Sequence, residues 1–195
     1  MRAMKLMVVC GALVAGAASA QERSNEVSSP TGGQWSVGAG AGVTVFGNDP
    51  NNPNGFTPRA SLEYMLSGDT ALVLGGFGSF GVGWENGNSL VDGGVGLNLG
   101  VRKYLSGSGA NRLSLHGLFN AGFRDAESAP SRIEFGLRGG FAVDHPLADA
   151  LVLRATVDVA NFGYGRNVGN GNNAVENRVG LDLFLAPAVE LRFAF

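Results

Sequence analysis

From Trp35 onward the chain alternates. Trp35, Val37, Ala39, Ala41, Val43 and Val45 fall on one parity, and Ser36, Gly38, Gly40, Gly42 and Thr44 on the other. A period of two marks a β-strand with two unlike faces, because successive side chains leave a strand on opposite sides. The rhythm returns over 56–66, 70–84, 91–105, 112–124, 132–144, 150–162 and about 175–195, which predicts eight strands, and no long stretch has a helical period. The last segment keeps its phase through Pro187, since Val179, Leu181, Leu183 and Leu185 share the parity of Val189, Leu191, Phe193 and Phe195. It is read as one strand, with a break near Ala186 as the alternative.

The connections alternate in length. Those at about 47–55, 85–90, 125–131 and 163–174 are longer or richer in Asn, Gly and Pro; 67–69 and 145–149 are tight, with His145, next to Pro146, read as a turn residue; 106–111 is intermediate. An even number of strands, short turns at one end and longer loops at the other describe an up-and-down barrel. The expected fold class is therefore all-β, an eight-stranded antiparallel up-and-down transmembrane β-barrel over 33–195.

Charge decides which parity faces outward. Arg59, Glu63, Asp92, Arg102, Arg112, Arg124, Glu134, Arg138, Asp144, Arg154, Asp158, Arg178, Asp182, Glu190 and Arg192 share one side of their strands. Only Lys103 lies on the other, near a strand end where its stem can snorkel to water. The uncharged parity carries Trp35, Phe56, Leu62, Tyr64, Leu72, Leu74, Phe80, Trp84, Phe119, Phe123 and Phe135, more bulk than eight strands enclose. Apolar groups then face lipid and charges face the lumen. Trp35, Tyr64, Phe193 and Phe195 are placed at one membrane interface, and Phe56, Trp84, Phe123 and Phe135 at the other. Strand spacing suggests a lumenal network in which Arg138, Asp158 and Arg178 meet, with Arg154 and Asp182 one layer below.

The first residues supply a compartment. Arg2 and Lys5 precede an apolar run from Leu6 to Ala17, then Ala18-Ser19-Ala20, the pattern of a cleavable secretory leader over 1–20. The run is too short for a membrane-spanning helix, which needs roughly 20 apolar residues. A polar lead-in at 21–32 follows, and Cys10, the one cysteine, falls inside the leader, so the mature chain has no disulfide or thiolate metal site. Past residue 20, 12 basic residues face 16 acidic ones, about −4. No basic patch points to a nucleic-acid partner.

The leader, the eight alternating segments, "GVRKYL" at Gly100–Leu105 and a terminal phenylalanine resemble the small outer-membrane barrels of the OmpA/OmpX type, often labelled porin-family proteins. The resemblance covers about 33–195. It implies a bacterial outer-membrane location after export through the periplasm, contact with outer-membrane lipid and lipopolysaccharide, and no cofactor. It also implies that the closing strand, with Val189, Leu191, Phe193 and Phe195, is read by the barrel-assembly machinery. The peptidoglycan-binding domain of the larger relatives is not expected here.

Motifs for chemistry are weak. "GFGSFG" at Gly76–Gly81 fits a dinucleotide pattern by spelling, but a strand with no following helix cannot cradle a phosphate. Ser114 and His116 share a parity near Arg102 and Asp144 yet lack an evident oxyanion hole. Two histidines at separate positions give no metal-ligand spacing, and Asp49 among asparagines reads as solvated loop. No catalytic or metal site is expected. The Asn- and Gly-rich loops are where a surface ligand would bind. The expected function is a structural outer-membrane barrel contributing to envelope integrity or surface interaction, its polar lumen largely filled by side chains. The alternative is a narrow porin-like channel for ions or small solutes.

Overall fold

The computed structural model describes residues 32–44, 56–85, 88–105, 111–126, 129–168 and 177–195, and the side chains of 80–92 and 126–130 are left aside. The predicted leader, all but one residue of the lead-in, Cys10 and Asp49 lie outside these residues, as do the side chains of Phe80, Trp84 and Asp92.

Eight antiparallel strands follow one another around a closed barrel. They are β1 (Trp35–Val43), β2 (Phe56–Ser67), β3 (Thr70–Glu85), β4 (Asn88–Tyr104), β5 (Arg112–Ala126), β6 (Ala129–Ala148), β7 (Leu151–Asn167) and β8 (Asn177–Ala194). Strand β8 returns to β1, with Ser36 opposite Ala194 and Gly42 opposite Ala188. Trp35 and Phe195 each donate a backbone hydrogen bond to the other's carbonyl, at 3.1 and 2.9 Å. Closure matters because a free strand edge in hydrocarbon would leave backbone groups unpaired at several kcal/mol each. The fit is tight at Gly40, where any Cβ would run into the backbone of Val189 and Glu190.

Strand boundaries differ from the sequence reading at both ends. At the turn end, β6 continues through His145 and Pro146 and only Asp149 and Ala150 turn. At the loop end, Glu85 faces Asn88 and Ala126 faces Ala129, so the expected long connections at 85–90 and 125–131 are instead extended strands meeting across two residues. Strand β7 runs on to Asn167 rather than stopping near 162. Pro146 and Pro187 are tolerated because each lies beside a register irregularity, where a ladder N–H is dispensable. Val159 is an extra residue on β7, since Gly139 faces Ala160 and Gly140 faces Asp158. This bulge moves the outward positions of β7 onto Phe162 and Tyr164.

The barrel is inverted relative to a water-soluble protein. Val95, Leu97, Val179 and Leu183 are 62–68% exposed along with Leu181, whereas Arg154, Glu63, Asp158 and Arg192 are 1–2% exposed. Trp35 packs against Tyr64 in a tilted ring contact, 4.6 Å between centroids, and Phe56, Phe123 and Phe135 point outward near the loop end. A continuous apolar belt around a charged interior is stable in hydrocarbon and a liability in water. The fold is a transmembrane β-barrel.

Candidate functional site

The lumen is built in three tiers, and the turn-end tier is the densest. Strand alternation sends Glu63 inward from β2, Arg102 and Tyr104 from β4, Asp144 from β6, Arg154 from β7 and Arg192 from β8. Glu63 accepts from Arg102 Nε at 2.9 Å and from Arg154 Nη1, and lies 3.4 Å from Arg192 Nη2. The Arg154 guanidinium spans the barrel and grips Asp144 in bidentate fashion, Nε to Oδ1 and Nη2 to Oδ2, both 2.6 Å. Its Nη2 also donates to the Tyr104 hydroxyl at 2.8 Å, while the Arg112 guanidinium lies 3.9 Å from the centre of that ring. Arg192 donates to Ser61 Oγ at 2.6 Å and Ser36 Oγ at 2.8 Å and pairs with Glu190 at 3.1 Å. Charges this deeply buried persist only when paired and hydrogen-bonded, and here each is both.

The middle tier centres on Asp158. His116 Nε2 is 2.8 Å from Oδ1, and Arg59 and Arg138 each place an Nη1 at 3.4 Å from Oδ2. The Arg138 guanidinium also stands over two inward rings, 5.3 Å from the centre of Phe184 and 6.0 Å from that of Phe77. Arg138 and Asp158 are therefore brought together, but the rest of the expected network is not. Asp158 faces Ala186 and Arg178 faces Gly165, seven residues apart on β7, or roughly 23 Å along the strand. Arg154 faces Glu190 and Asp182 faces Asn161, so that pair is separated as well. Because β7 extends to Asn167, with Arg166 facing Asn177, the register differs from the one that a reversal near 168 would give. Every β8 partner moves accordingly.

The loop-end tier is thin. Gly136 faces Gly163, which faces Gly180, so three neighbouring strands present glycine at one level, where the Asn161 side chain covers Gly136 and Gly163. Arg178 pairs with Asp182 four residues away at 2.6 Å, with the Arg178 side chain 55% exposed, and Arg132 pairs with Glu134 at 2.8 Å.

The remaining candidates fall into place. Ser114 Oγ accepts from Arg102 Nη1 at 3.1 Å and faces Ala142 O at 3.4 Å, while His116 is engaged with Asp158. The two residues thus belong to separate hydrogen-bonded sets rather than to a nucleophile and its base. Gly76–Gly81 lies within β3. His145 Nδ1 contacts Asn111 Oδ1 at 2.8 Å. Among the described residues, no group of three or more His, Cys, Asp and Glu is placed to hold a metal ion. Tyr104, Phe77 and Phe184 were not singled out from the sequence, although each shares the parity of inward charges or small residues on its strand. Val189, Leu191, Phe193 and Phe195 are outward, 41–72% exposed.

No protein-family model and no curated protein sequence matches the chain. Solved structures do match its fold. The N-terminal β-barrel domain of Pseudomonas aeruginosa OprF is 11% identical with a TM-score of 0.53, covering 84% of this chain and 100% of that one. Ail, the attachment invasion locus protein of Yersinia pestis, is 13% identical with a TM-score of 0.52, covering 85% and 100%. The outer membrane protein OprG from Pseudomonas aeruginosa is 12% identical with a TM-score of 0.51, covering 85% and 97%. The fold is that of small outer-membrane barrels of the OmpA/OmpX type.

Proposed function

We propose that this protein is a structural β-barrel of the bacterial outer membrane, contributing to envelope integrity or surface interaction, with a lumen closed by its own side chains. One observation carries the reading: Glu63, 2% exposed, is enclosed by three guanidiniums that also reach Asp144, Glu190 and Tyr104, and this set crosses the turn-end lumen. An eight-stranded barrel is just wide enough for such filling. Planar-bilayer recording of the inserted barrel tests it, and a silent baseline is the expected result.

A narrow channel for ions or small solutes is the second reading, favoured by the open space at Gly180 on the loop-end side of the lumen. Stable steps of reproducible conductance would establish it in place of the first. A leader ending at Ala20 supports export, and intact-mass measurement of the outer-membrane fraction should find a chain starting at Gln21. The apolar belt suits lipid and lipopolysaccharide as surroundings. The outward Val189, Leu191, Phe193 and Phe195 suit the closing strand for recognition by the barrel-assembly machinery. Replacing Phe193 and Phe195 by Ser should lower insertion, and undiminished insertion would count against that role. Ail carries attachment in its name; a surface ligand held by the loops is the corresponding proposal for this chain.

A further inference from the structure

Past residue 20 the chain is acidic, with 12 basic residues against 16 acidic ones, yet its inward face is basic. In the turn-end tier Arg102, Arg112, Arg154 and Arg192 stand with the carboxylates of Glu63, Asp144 and Glu190. In the middle tier Arg59 and Arg138 share a single oxygen of Asp158. At the loop end Arg124, Arg132 and Arg178 stand with Glu134 and Asp182. Among the described residues each tier therefore holds one arginine more than it holds carboxylates. Asp92, on the same parity with its side chain outside those described, offsets at most one of the three. Arg124 and Arg132 also face each other directly across β5 and β6, a position in which like charges repel.

We propose that the loop-end half of the lumen is an anion-attracting vestibule, which admits small anions such as halides and carboxylates and turns small cations away. Guanidiniums are not deprotonated in proteins, and low-dielectric walls focus their field along the axis. Acidic residues outside the lumen act more weakly on an entering ion. Asp69, Asp125 and Asp149 are exposed, and salt screens exposed charges beyond about 8 Å. The arginines grow less exposed from the loop end inward: the side chain of Arg132 is 27% exposed, that of Arg59 15% and that of Arg138 5%. Space for an ion exists beside Arg59, which lines a cavity of about 40 Å³ with Arg102, His116, Asp158 and Glu190. A solute passed under the channel reading is then an anion, and that step rests on the channel reading. The attraction itself does not need conduction, because the seal lies at the turn end.

The test uses the full barrel. Crystals soaked in sodium bromide, and separately in rubidium chloride, should show anomalous bromide peaks beside Arg132 and Arg59 and no rubidium in the lumen. Arg132→Gln should lower bromide occupancy, and Arg132→Lys, which keeps the charge, should retain it. Lys103→Met, which removes a cation outside the lumen, should leave it unchanged. Should Arg132→Gln fail to fold, the wild-type soaks decide the matter. Rubidium in the lumen, or neither ion there, overturns the proposal. Where the inserted barrel conducts in planar bilayers, a potassium chloride gradient should give a reversal potential of the sign set by chloride, moved toward zero by Arg132→Gln. A reversal potential of the sign set by potassium overturns the proposal as well. A silent bilayer removes the channel reading alone and leaves the vestibule to the soaks, so the two can fail separately.

Discussion

The two ends of the lumen are made by the same alternation and behave differently. At the turn end, long side chains from β2, β4, β6, β7 and β8 meet across the axis, and small residues on β1 make room for them. A Cβ at Gly38 would collide with the Arg192 side chain. At the loop end the inward glycines of β6, β7 and β8 face one another at a single level; the Asn161 side chain crowds Gly136 and Gly163, whereas a Cβ at Gly180 would meet nothing nearer than Arg178 Nε at 3.8 Å. Glycine inside a barrel is therefore not space in itself. It becomes space only where no other side chain reaches it: Asn161 closes on Gly136 and Gly163, and Gly180 stays open.

The sharpest way to break this contrast is to remove its central carboxylate. Glu63→Ala leaves Arg102, Arg154 and Arg192 facing one another without the group they share. Breaking a buried pair by deleting one partner typically costs about 3–5 kcal/mol, and this site should lie in that range. The expected outcome is early loss of the compact form on unboiled gels with heating, together with conductance in bilayers. Glu63→Gln, which keeps the shape and part of the hydrogen bonding, should fall between. A Glu63→Ala barrel as heat-stable and silent as wild type would mean that the turn-end tier does not seal the lumen.

Asp158→Ala comes next. It deprives Arg59, Arg138 and His116 of a common acceptor, but its contacts to the arginines are long at 3.4 Å and it borders the cavity, so water can take over part of its role. A loss below that of Glu63→Ala, at or under the ~3 kcal/mol end of the buried-pair range, is expected from thermal unfolding on gels. Val157→Ala, on the opposite face of the same strand, should produce no leak. If Val157→Ala opened conductance and Asp158→Ala did not, the facing of β7 would be reversed.

This gradient also marks what could be read in the sequence. Strand number and facing were legible because period-two alternation is local: the charges at 59, 63, 102, 138, 144, 154, 190 and 192 announce the inward parity one strand at a time. Pairing between β6 and β7 was nearly legible, since a two-residue turn fixes register, and Arg138 does meet Asp158. Pairing between β7 and β8 was not, because Asn- and Gly-rich sequence does not say where a strand stops, and the five residues added to β7 displaced every partner on β8. The change of facing at Val159 was hidden too, as a bulge needs only one residue without a counterpart. Least legible were contacts across the axis. Glu63 and Arg154 are 91 residues apart, and their meeting depends on the stagger of the whole barrel, a global quantity that no single segment encodes.

Farther out, the loop-end pair should matter little. Arg178 is 55% exposed on its side chain and its partner Asp182 is its neighbour on the same strand. Exposed pairs of this kind contribute about 0–1 kcal/mol. Arg178→Ala should leave the unfolding temperature and the silent baseline close to wild type. A loss as large as that from Asp158→Ala would show that the loop-end tier closes the lumen as well, and the contrast between the two ends would fail.

The smallest effect belongs to an ion pair that is close to the sealing tier in the chain but outside the lumen. Lys103, a charge on the apolar parity, adjoins the β2–β3 turn and reaches Asp69 at 2.5 Å, both side chains about half exposed. Hydrogen bonding from Lys103, and then from Thr70 and Ser67, holds the Asp69 carboxyl well below the usual aspartate range. A carboxyl lowered in the folded state adds stability above its unfolded value, and that contribution is lost as pH falls through the lowered folded value. Solvent screening keeps it small here despite the shift. Carboxyl NMR titration should therefore find Asp69 ionised to unusually low pH, and Lys103→Met should return it toward the ordinary range without a measurable change in unfolding temperature. A large drop in that temperature on Lys103→Met would show that a strong pair at the rim stabilises the barrel as the buried ones do, and that burial is not what separates them.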